Sequence, residues 1–494
     1  MKRFNTVKSL VSILLALMML LPCLVSCADT GTAEVTTAPV TATTTEGSGD
    51  SVIEETTRDT LPELDFGGEE VNILYWENAN NNEFFVEETD GTDINDVVYR
   101  RNENVQDRLN FKFAWNGQKG AKGNLESFVT YMRTGIDSGE NIEIVAVHSM
   151  VMGAVAAEGY LQNLGDVDHI NLDSPWWPED LVENSTIKGN IFFVSGDISL
   201  NTLLGMEGVF FNKDMTESDL YSHVHNKTWT IEQMFNESKE AYKDSTGDGK
   251  SDDDVFGYIT YSGMINAMCI GMGIRITDKD EEGFIKLSDT YVSEKTQTLI
   301  EMLNSYFYNN NAWYYTPKSW DGAAETFSDG RALFTMASVR YTVNELAGSD
   351  VTYGILPAPL YNTDQESYHT LMANTYTMFG ISIGCKDTTR PGAVIEAMAS
   401  EGYHTVTPVV FEVALKARYS DDSSDAMMFD VLRESVVMEI GLVFSDMIGG
   451  LPSKALFTLV NNKNADWMSY MKQYDKKING KNGYLDKLNQ AFDN

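Results

Sequence analysis

Apolar residues run almost unbroken from Leu10 to Leu24, interrupted only by Ser12 and Pro22, and Lys2, Arg3 and Lys8 precede them. A basic start followed by a short apolar stretch predicts an export signal. The stretch is too short for a permanent span, since crossing the hydrocarbon core takes about 20 uninterrupted apolar residues. From Ala28 to Thr60 the pattern vanishes: Thr, Glu, Ser, Gly and Ala dominate, which predicts a disordered spacer. Regular periodicity begins near Phe66. Val71 to Trp76 predicts a buried strand. Asp93 to Arg108 predicts a helix with Ile94, Val97, Val98, Val105 and Leu109 on one side and Asp93 placed to cap it. Asn110 to Trp115 follows as a second strand. Gly123 to Gly135 follows as a helix through Leu125, Phe128, Val129 and Met132, and Ile142 to Val147 as a short continuous strand.

This alternation predicts parallel βαβ units in a doubly wound α/β sheet, whose ligands gather beyond the carboxyl ends of the strands. The residues just past those ends, Trp76, Glu77 and Asn78 after one strand and His148 and Ser149 after another, are the first site candidates. Further on, Met150 to Leu164 reads as a small-residue helix and Thr375 to Ile383 as an apolar strand. Two more helices are expected, one started by Pro391 and running through Ser400, the other from Ala426 to Val437.

Charge narrows the function. The chain carries 36 basic and 73 acidic residues, a formal −37. Without residues 1–26 the basic count falls by three and the balance is −40. Such a body repels nucleic acid and anionic lipid, so no nucleic-acid partner is expected. About 430 residues remain beyond the spacer, enough for two lobes with cores of their own. Cysteines add little: Cys23 leaves with the signal, and Cys269 and Cys385 lie far apart without metal-ligand spacing. The six histidines, at 148, 169, 223, 225, 369 and 404, form no HExxH pair, which argues against a zinc enzyme.

Leu24-Val25-Ser26-Cys27 resembles the lipobox of bacterial lipoproteins, and the resemblance implies lipidation of Cys27 and a membrane anchor. A wider resemblance is carried by several stretches in order. They are Gly159 to Leu164, Ser174-Pro175-Trp176-Trp177, Gly208 to Lys213, Thr228-Trp229-Thr230, Asp244 to Gly257, Phe327 to Phe334 and Tyr353 to Pro359. Together they resemble the bacterial extracellular solute-binding proteins, the substrate-binding lipoproteins of ABC importers, in their carbohydrate-type, family 1-like branch.

The resemblance implies a two-lobed periplasmic-binding-protein-like fold, each lobe a sheet flanked by helices and the two joined by a hinge. Residues 1–26 would be the signal peptide and 27–65 the Thr-rich tether. Lobe 1 would comprise 66–198 and 372–407, and lobe 2 would comprise 199–371 and 408–494, with crossings near Gly196, Met372 and Thr407. It also implies a monomeric receptor on the outer face of the cytoplasmic membrane, not an enzyme, that takes an oligosaccharide and hands it to the transmembrane subunits of an ABC permease. The alternative is a surface glycan-active enzyme or a glycan-adhesion lipoprotein. Against an enzyme, there is no Gly-x-Ser-x-Gly elbow, no phosphate-binding loop and no Gly-x-Gly-x-x-Gly; Gly271-Met272-Gly273 lacks the third glycine.

Two constellations could carry chemistry. Asp244, Thr246 and Asp248 place oxygen donors at alternate positions, Gly249 allows a sharp turn, Lys250 offers a carbonyl and Asp252 follows, the first nine positions of a calcium loop. Position twelve is Val255, so Asp253 or Asp254 would have to replace the usual glutamate, and the ion would be structural; no catalytic cofactor is expected. The second constellation is aromatic, because sugar rings stack on Trp and Tyr while their hydroxyls need polar partners. Its candidates are Trp76, Glu77, Asn78, Ser149, Trp313, Trp320, Asp321, Arg340, Tyr341, Tyr368 and Asn374. Trp176, Trp177 and Trp229 are assigned to packing, the last beside a helix capped by Thr230.

Overall fold

The computed structural model describes residues 58–79, 83–316, 320–416 and 423–493. The export signal, Cys27 and the tether up to residue 57 lie outside the described residues, as does the side chain of Trp320. Among the described residues, no helix is long and apolar enough to cross a membrane.

The first sheet follows the predicted alternation. Strand β1 (Glu69–Trp76), helix α1 (Asp93–Leu109), β2 (Phe111–Gln118), α2 (Leu125–Ser138), β3 (Ile144–His148) and α3 (Ser149–Ala157) succeed one another. Strand β1 pairs in parallel with β2 on one side and β3 on the other, and both β1 and β3 bury their apolar runs, as interior parallel strands do. Helix α1 buries Val98, Val105 and Leu109 and ends where Asn110 takes the left-handed conformation (φ 51°), which Asn tolerates better than most residues. Its cap differs from expectation. Thr92 is the N-cap, no side chain caps it, and Asp93 is already helical. The carboxylate that bonds the entry turn is Asp96, accepting from the N–H groups of Asp90 and Gly91. Helix α3 stops well short of Leu164, because Gly159 turns the chain at φ 77° and Leu161 bridges to Ser382.

The second sheet holds β4 (Glu207–Asn212), β5 (Phe256–Tyr261), β6 (Trp313–Thr316), β7 (Ala332–Ser338) and β8 (Tyr353–Leu356), in the spatial order β6-β5-β7-β4-β8. β5, β6 and β7 are mutually parallel, while β4 runs antiparallel to both β7 and β8. The chain then returns: β9 (Thr377–Ile381) lies antiparallel to β3 and completes the first sheet as β9-β3-β1-β2.

Helices α4 (Thr389–Glu401) and α5 (Thr407–Lys416) both pack on α1, and α6 (Ser423–Glu434) packs against β8. The expected crossing near Thr407 is therefore displaced, because α5 stays with the first sheet. Three connecting segments instead lie side by side. Met206 bridges Met372, the Ala373 N–H donates to the Gly205 carbonyl at 2.9 Å, and the Met372 N–H donates to the Val437 carbonyl at 3.3 Å. Val437, expected at the end of a helix, is extended here and pairs with Leu371. Gly196, where the first crossing was expected, lies so close to the Trp176 carbonyl that a Cβ would sit 2.1 Å from that oxygen, so only glycine fits.

Candidate functional site

One end of each sheet supplies a wall of the site. On the first, the carboxyl ends of β1 and β3 meet the amino end of β9, where Thr377 is in register with His148. Trp76, the last residue of β1, donates its indole N–H to the Thr377 hydroxyl at 2.8 Å and sets its ring at 82° to His148, 5.3 Å between centroids. Glu83 comes up beneath. It is 1% exposed and accepts from the Thr377 N–H (3.0 Å), the Thr377 hydroxyl (2.9 Å) and the Ser199 hydroxyl (2.5 Å). These bonds leave its Oε1 enclosed with no partner among the described residues. Burial pushes the Glu83 carboxyl up to about 6, while the Ser199 and Thr377 donors and the charge of Arg340 pull it back.

His148 accepts the Met150 N–H on Nδ1 at 3.1 Å and so caps α3. Burial and the charge of Lys122 hold its pKa down to about 4, so the ring is neutral. Ser149, fully buried, donates to the Asn374 carbonyl at 2.5 Å, and Asn374 lies against Met150 Sδ at 3.4 Å. Asn78 is spent on structure: its oxygen accepts from the N–H groups of Gly120 and Ala121 and its amide donates to Asn124, which fastens the β2–α2 connection. Glu77 is exposed and, with Tyr75, Trp76, Glu83 and Phe85, lines a hollow of about 390 Å³.

On the second wall, Tyr261 ends β5 and Ser338 ends β7, with Glu207 at the start of β4 in register with Ser338. Arg340 sits on the single 3-10 turn (Val339–Thr342) that follows β7. Its Nε and Nη2 are enclosed with no hydrogen-bond partner among the described residues, yet its charge is felt by Glu83. Burial pulls the guanidinium below its usual range, and Glu83 and then Glu345 raise it again. Glu83 thus keeps an unpaired acceptor and Arg340 unpaired donors among the described residues, and each feels the other's charge. Glu207 is 5% exposed, and its Oε2 too has no partner among the described residues.

Several sequence candidates point elsewhere. Tyr341 is buried, donates to the Ala324 carbonyl at 2.7 Å and packs edge-on to Phe210. Tyr368 donates to the Val224 carbonyl at 3.1 Å, and Trp313 is enclosed by Tyr258, Phe235 and Tyr306. These three rings are core, because an aromatic face buries more apolar area inside than a cleft would cover. Asp321 is exposed in the first turn of the helix Trp320–Ser328. Trp176 and Trp177 both donate to Glu396, Trp229 donates to the Pro357 carbonyl, and Thr230 caps its helix through the Gln233 N–H. Glu83, Glu207 and Thr377 are not among the sequence candidates. The signal for the first two is a single carboxylate beside an apolar run, Glu83 before Phe84-Phe85-Val86 and Glu207 before Gly208-Val209-Phe210-Phe211.

The acidic loop is held by its own bonds. Asp244 accepts from the N–H groups of Gly247 (2.6 Å) and Gly249 (3.0 Å), Thr246 donates to Asp248, and Tyr314 donates to Asp252. Lys250 buries its ammonium against the carbonyls of Phe307, Asn310 and Trp313, and burial lowers it to about 8. Among the described residues, no three His, Cys, Asp or Glu side chains converge as a metal site.

No family model and no curated protein sequence matches the chain. Solved structures do. A cyclo/maltodextrin-binding protein complexed with maltotetraose superposes with a TM-score of 0.56 at 11% identity, covering 82% of this chain and 98% of that one. An ABC substrate-binding protein of Listeria monocytogenes in complex with cycloalternan gives 0.50 at 11%, over 86% and 99%. The GacH receptor of Streptomyces glaucescens, solved unliganded and with acarbose, gives 0.50 at 9%, over 86% and 97%. At such identities the likeness establishes the fold: the chain has the two-lobed, periplasmic-binding-protein-like α/β fold.

Proposed function

We propose that this protein is a lipid-anchored, monomeric extracellular receptor that captures an oligosaccharide between its two sheets and delivers it to an ABC permease. The observation that carries the reading is the pair of Glu83 and Arg340, one on each wall and coupled by charge, each holding enclosed polar atoms with no hydrogen-bond partner among the described residues. Buried polar atoms left unpaired cost about 1–3 kcal/mol each, and a hydroxyl-rich ligand bonding both at once would remove that cost while drawing the walls together. The fold supports it too, since the structures it resembles were solved with maltotetraose, cycloalternan or acarbose. Anchoring rests on the lipobox-like segment ending at Cys27, and the Thr-rich tether 27–65 would keep the receptor near its permease. A calcium ion in the Asp244–Asp252 loop belongs to the proposal on donor spacing alone; binding would take Asp248 from Thr246 and Asp252 from Tyr314.

The test is titration of the full chain with a panel of oligosaccharides, following tryptophan fluorescence, in wild type and Arg340→Ala. Saturable binding without product, weakened at least tenfold by the substitution, supports the receptor. Cleavage of a glycosidic bond would instead identify a glycan-active enzyme.

A further inference from the structure

Glu207 is a buried carboxylate whose Oε2 has no hydrogen-bond partner among the described residues. It opens β4 and stands opposite Ser338 at the crevice end of β7. No hydrogen bond reaches its carboxyl from any described residue, and Oε2 is sealed from solvent. Among the described residues, the elements around it offer no compensating charge. Tyr261 on β5 feels its charge and that of Glu345. The charge of Arg340 acts on Glu83 and Glu345. Tyr353 of β8 is opposite Asn212 at the far end of β4, and the short strand Thr370–Leu371 contributes nothing ionisable. Other buried carboxylates have donors: Glu83 has Ser199 and Thr377, Glu396 has two indoles, and Glu439 has Arg275 and two backbone N–H groups. A carboxylate with neither cation nor donor is not held ionised in such a place.

We propose that Glu207 is a neutral carboxylic acid that reads the ligand, its one O–H donor and its carbonyl acceptor pairing with a group that itself both donates and accepts, a sugar hydroxyl or an acetamido group. Desolvation with nothing to offset it agrees, pushing the carboxyl up to about 8. The role complements that of the Glu83–Arg340 pair: the pair supplies an acceptor and donors held apart on two walls, whereas Glu207 supplies both from one side chain. Such a group favours a ligand with matched donor and acceptor and disfavours an anionic one, which offers acceptors only. It also couples capture to pH, because ligand bound to the neutral form is released as the carboxyl ionises. This inference rests on the reading of the crevice as a carbohydrate site.

The experiment has a ligand-free arm and a binding arm, both on the full chain. In the first, the infrared difference spectrum between wild type and Glu207→Gln at neutral pH reads the protonated-carboxyl stretch directly. In the second, the wild type, Glu207→Gln and Glu207→Ala are titrated calorimetrically with maltotetraose, which carries hydroxyls, and with chitotetraose, which carries acetamido groups. The expected result is a protonated carboxyl in the free protein and binding of at least one probe. Gln, which also has one donor and one acceptor face, should keep the affinity within about threefold, and Ala should lose about tenfold or more. Wild-type affinity should fall between about pH 7 and pH 9, and the Gln variant should lose that dependence. An ionised carboxylate in the free protein overturns the proposal. So does Ala binding as well as wild type, which would leave the carbohydrate reading standing. If neither probe binds the wild type, the carbohydrate reading and the ligand role of Glu207 fail together, whatever the infrared arm shows.

Discussion

Glu83 and Thr377, 294 residues apart in sequence, are joined twice, through the Thr377 N–H at 3.0 Å and its hydroxyl at 2.9 Å. The same hydroxyl accepts from the Trp76 indole at 2.8 Å. One side chain on the returning strand therefore orients both the aromatic ring and the carboxylate of the first wall. Thr377→Val keeps the shape and the backbone bond but strands the indole N–H and removes one donor from Glu83. The expected cost is about 1–3 kcal/mol in urea denaturation, with Thr377→Ser restoring most of it. No loss with Val would mean that water replaces the hydroxyl.

Trp176 and Trp177 share Glu396 on α4, at 3.2 and 3.0 Å, and the Asn171 N–H adds a third donor at 3.2 Å. Both oxygens accept from N–H groups, so Glu396→Gln must turn an NH₂ toward one of those donors. Glu396→Ala leaves all of them unpaired. Both substitutions should destabilise, Ala by about 2–4 kcal/mol and Gln by less, read from denaturant midpoints. The reverse order would refute the shared acceptor.

Stability should decline from mildly acidic to mildly basic pH. Burial raises Glu83 and Asp197 to about 6, Glu396 and Glu439 to about 7 and Glu207 to about 8. Each folded value lies above the unfolded one, so the folded state keeps a proton the unfolded chain has already released. The destabilisation begins as pH rises past the ordinary carboxylate range and is complete above each folded value. His148 works the other way: depressed to about 4, it costs stability only as pH falls below about 6.5. The melting temperature should therefore fall between about pH 6 and pH 8, and Glu207→Gln should flatten the upper part of that fall. A melting temperature that is level across the window contradicts these assignments.

The Asp244–Asp254 loop gives a direct test of calcium. An ion bound by the folded state alone raises the melting temperature by mass action. The expected outcome is a higher melting temperature in calcium than in excess chelator, abolished by Asp244→Asn. Equal values in wild type would leave the loop as a turn closed by the Asp244 carboxylate on Gly247 and Gly249.

What the sequence determined by itself was local. The apolar strand ending at Trp76, the 3.6-residue spacing after Asp93, the Thr230 cap and the inward assignment of Trp176, Trp177 and Trp229 need only neighbours a few residues away, and all stand in the structure. The alternation of these elements likewise implied parallel pairing and the strand ends where ligands gather. What only the tertiary structure decided was which polar atoms meet across long separations. Thr377 reaches Glu83, the charge of Arg340 on the turn after β7 acts on it, and Val437 rather than Thr407 lies beside Met372 as the third connecting segment. Tyr341 and Tyr368 looked like stacking residues and are core. The reason is physical: periodicity records whether a position is apolar, but a hydrogen bond depends on the distance and angle between two groups, and those are set by how the whole chain packs.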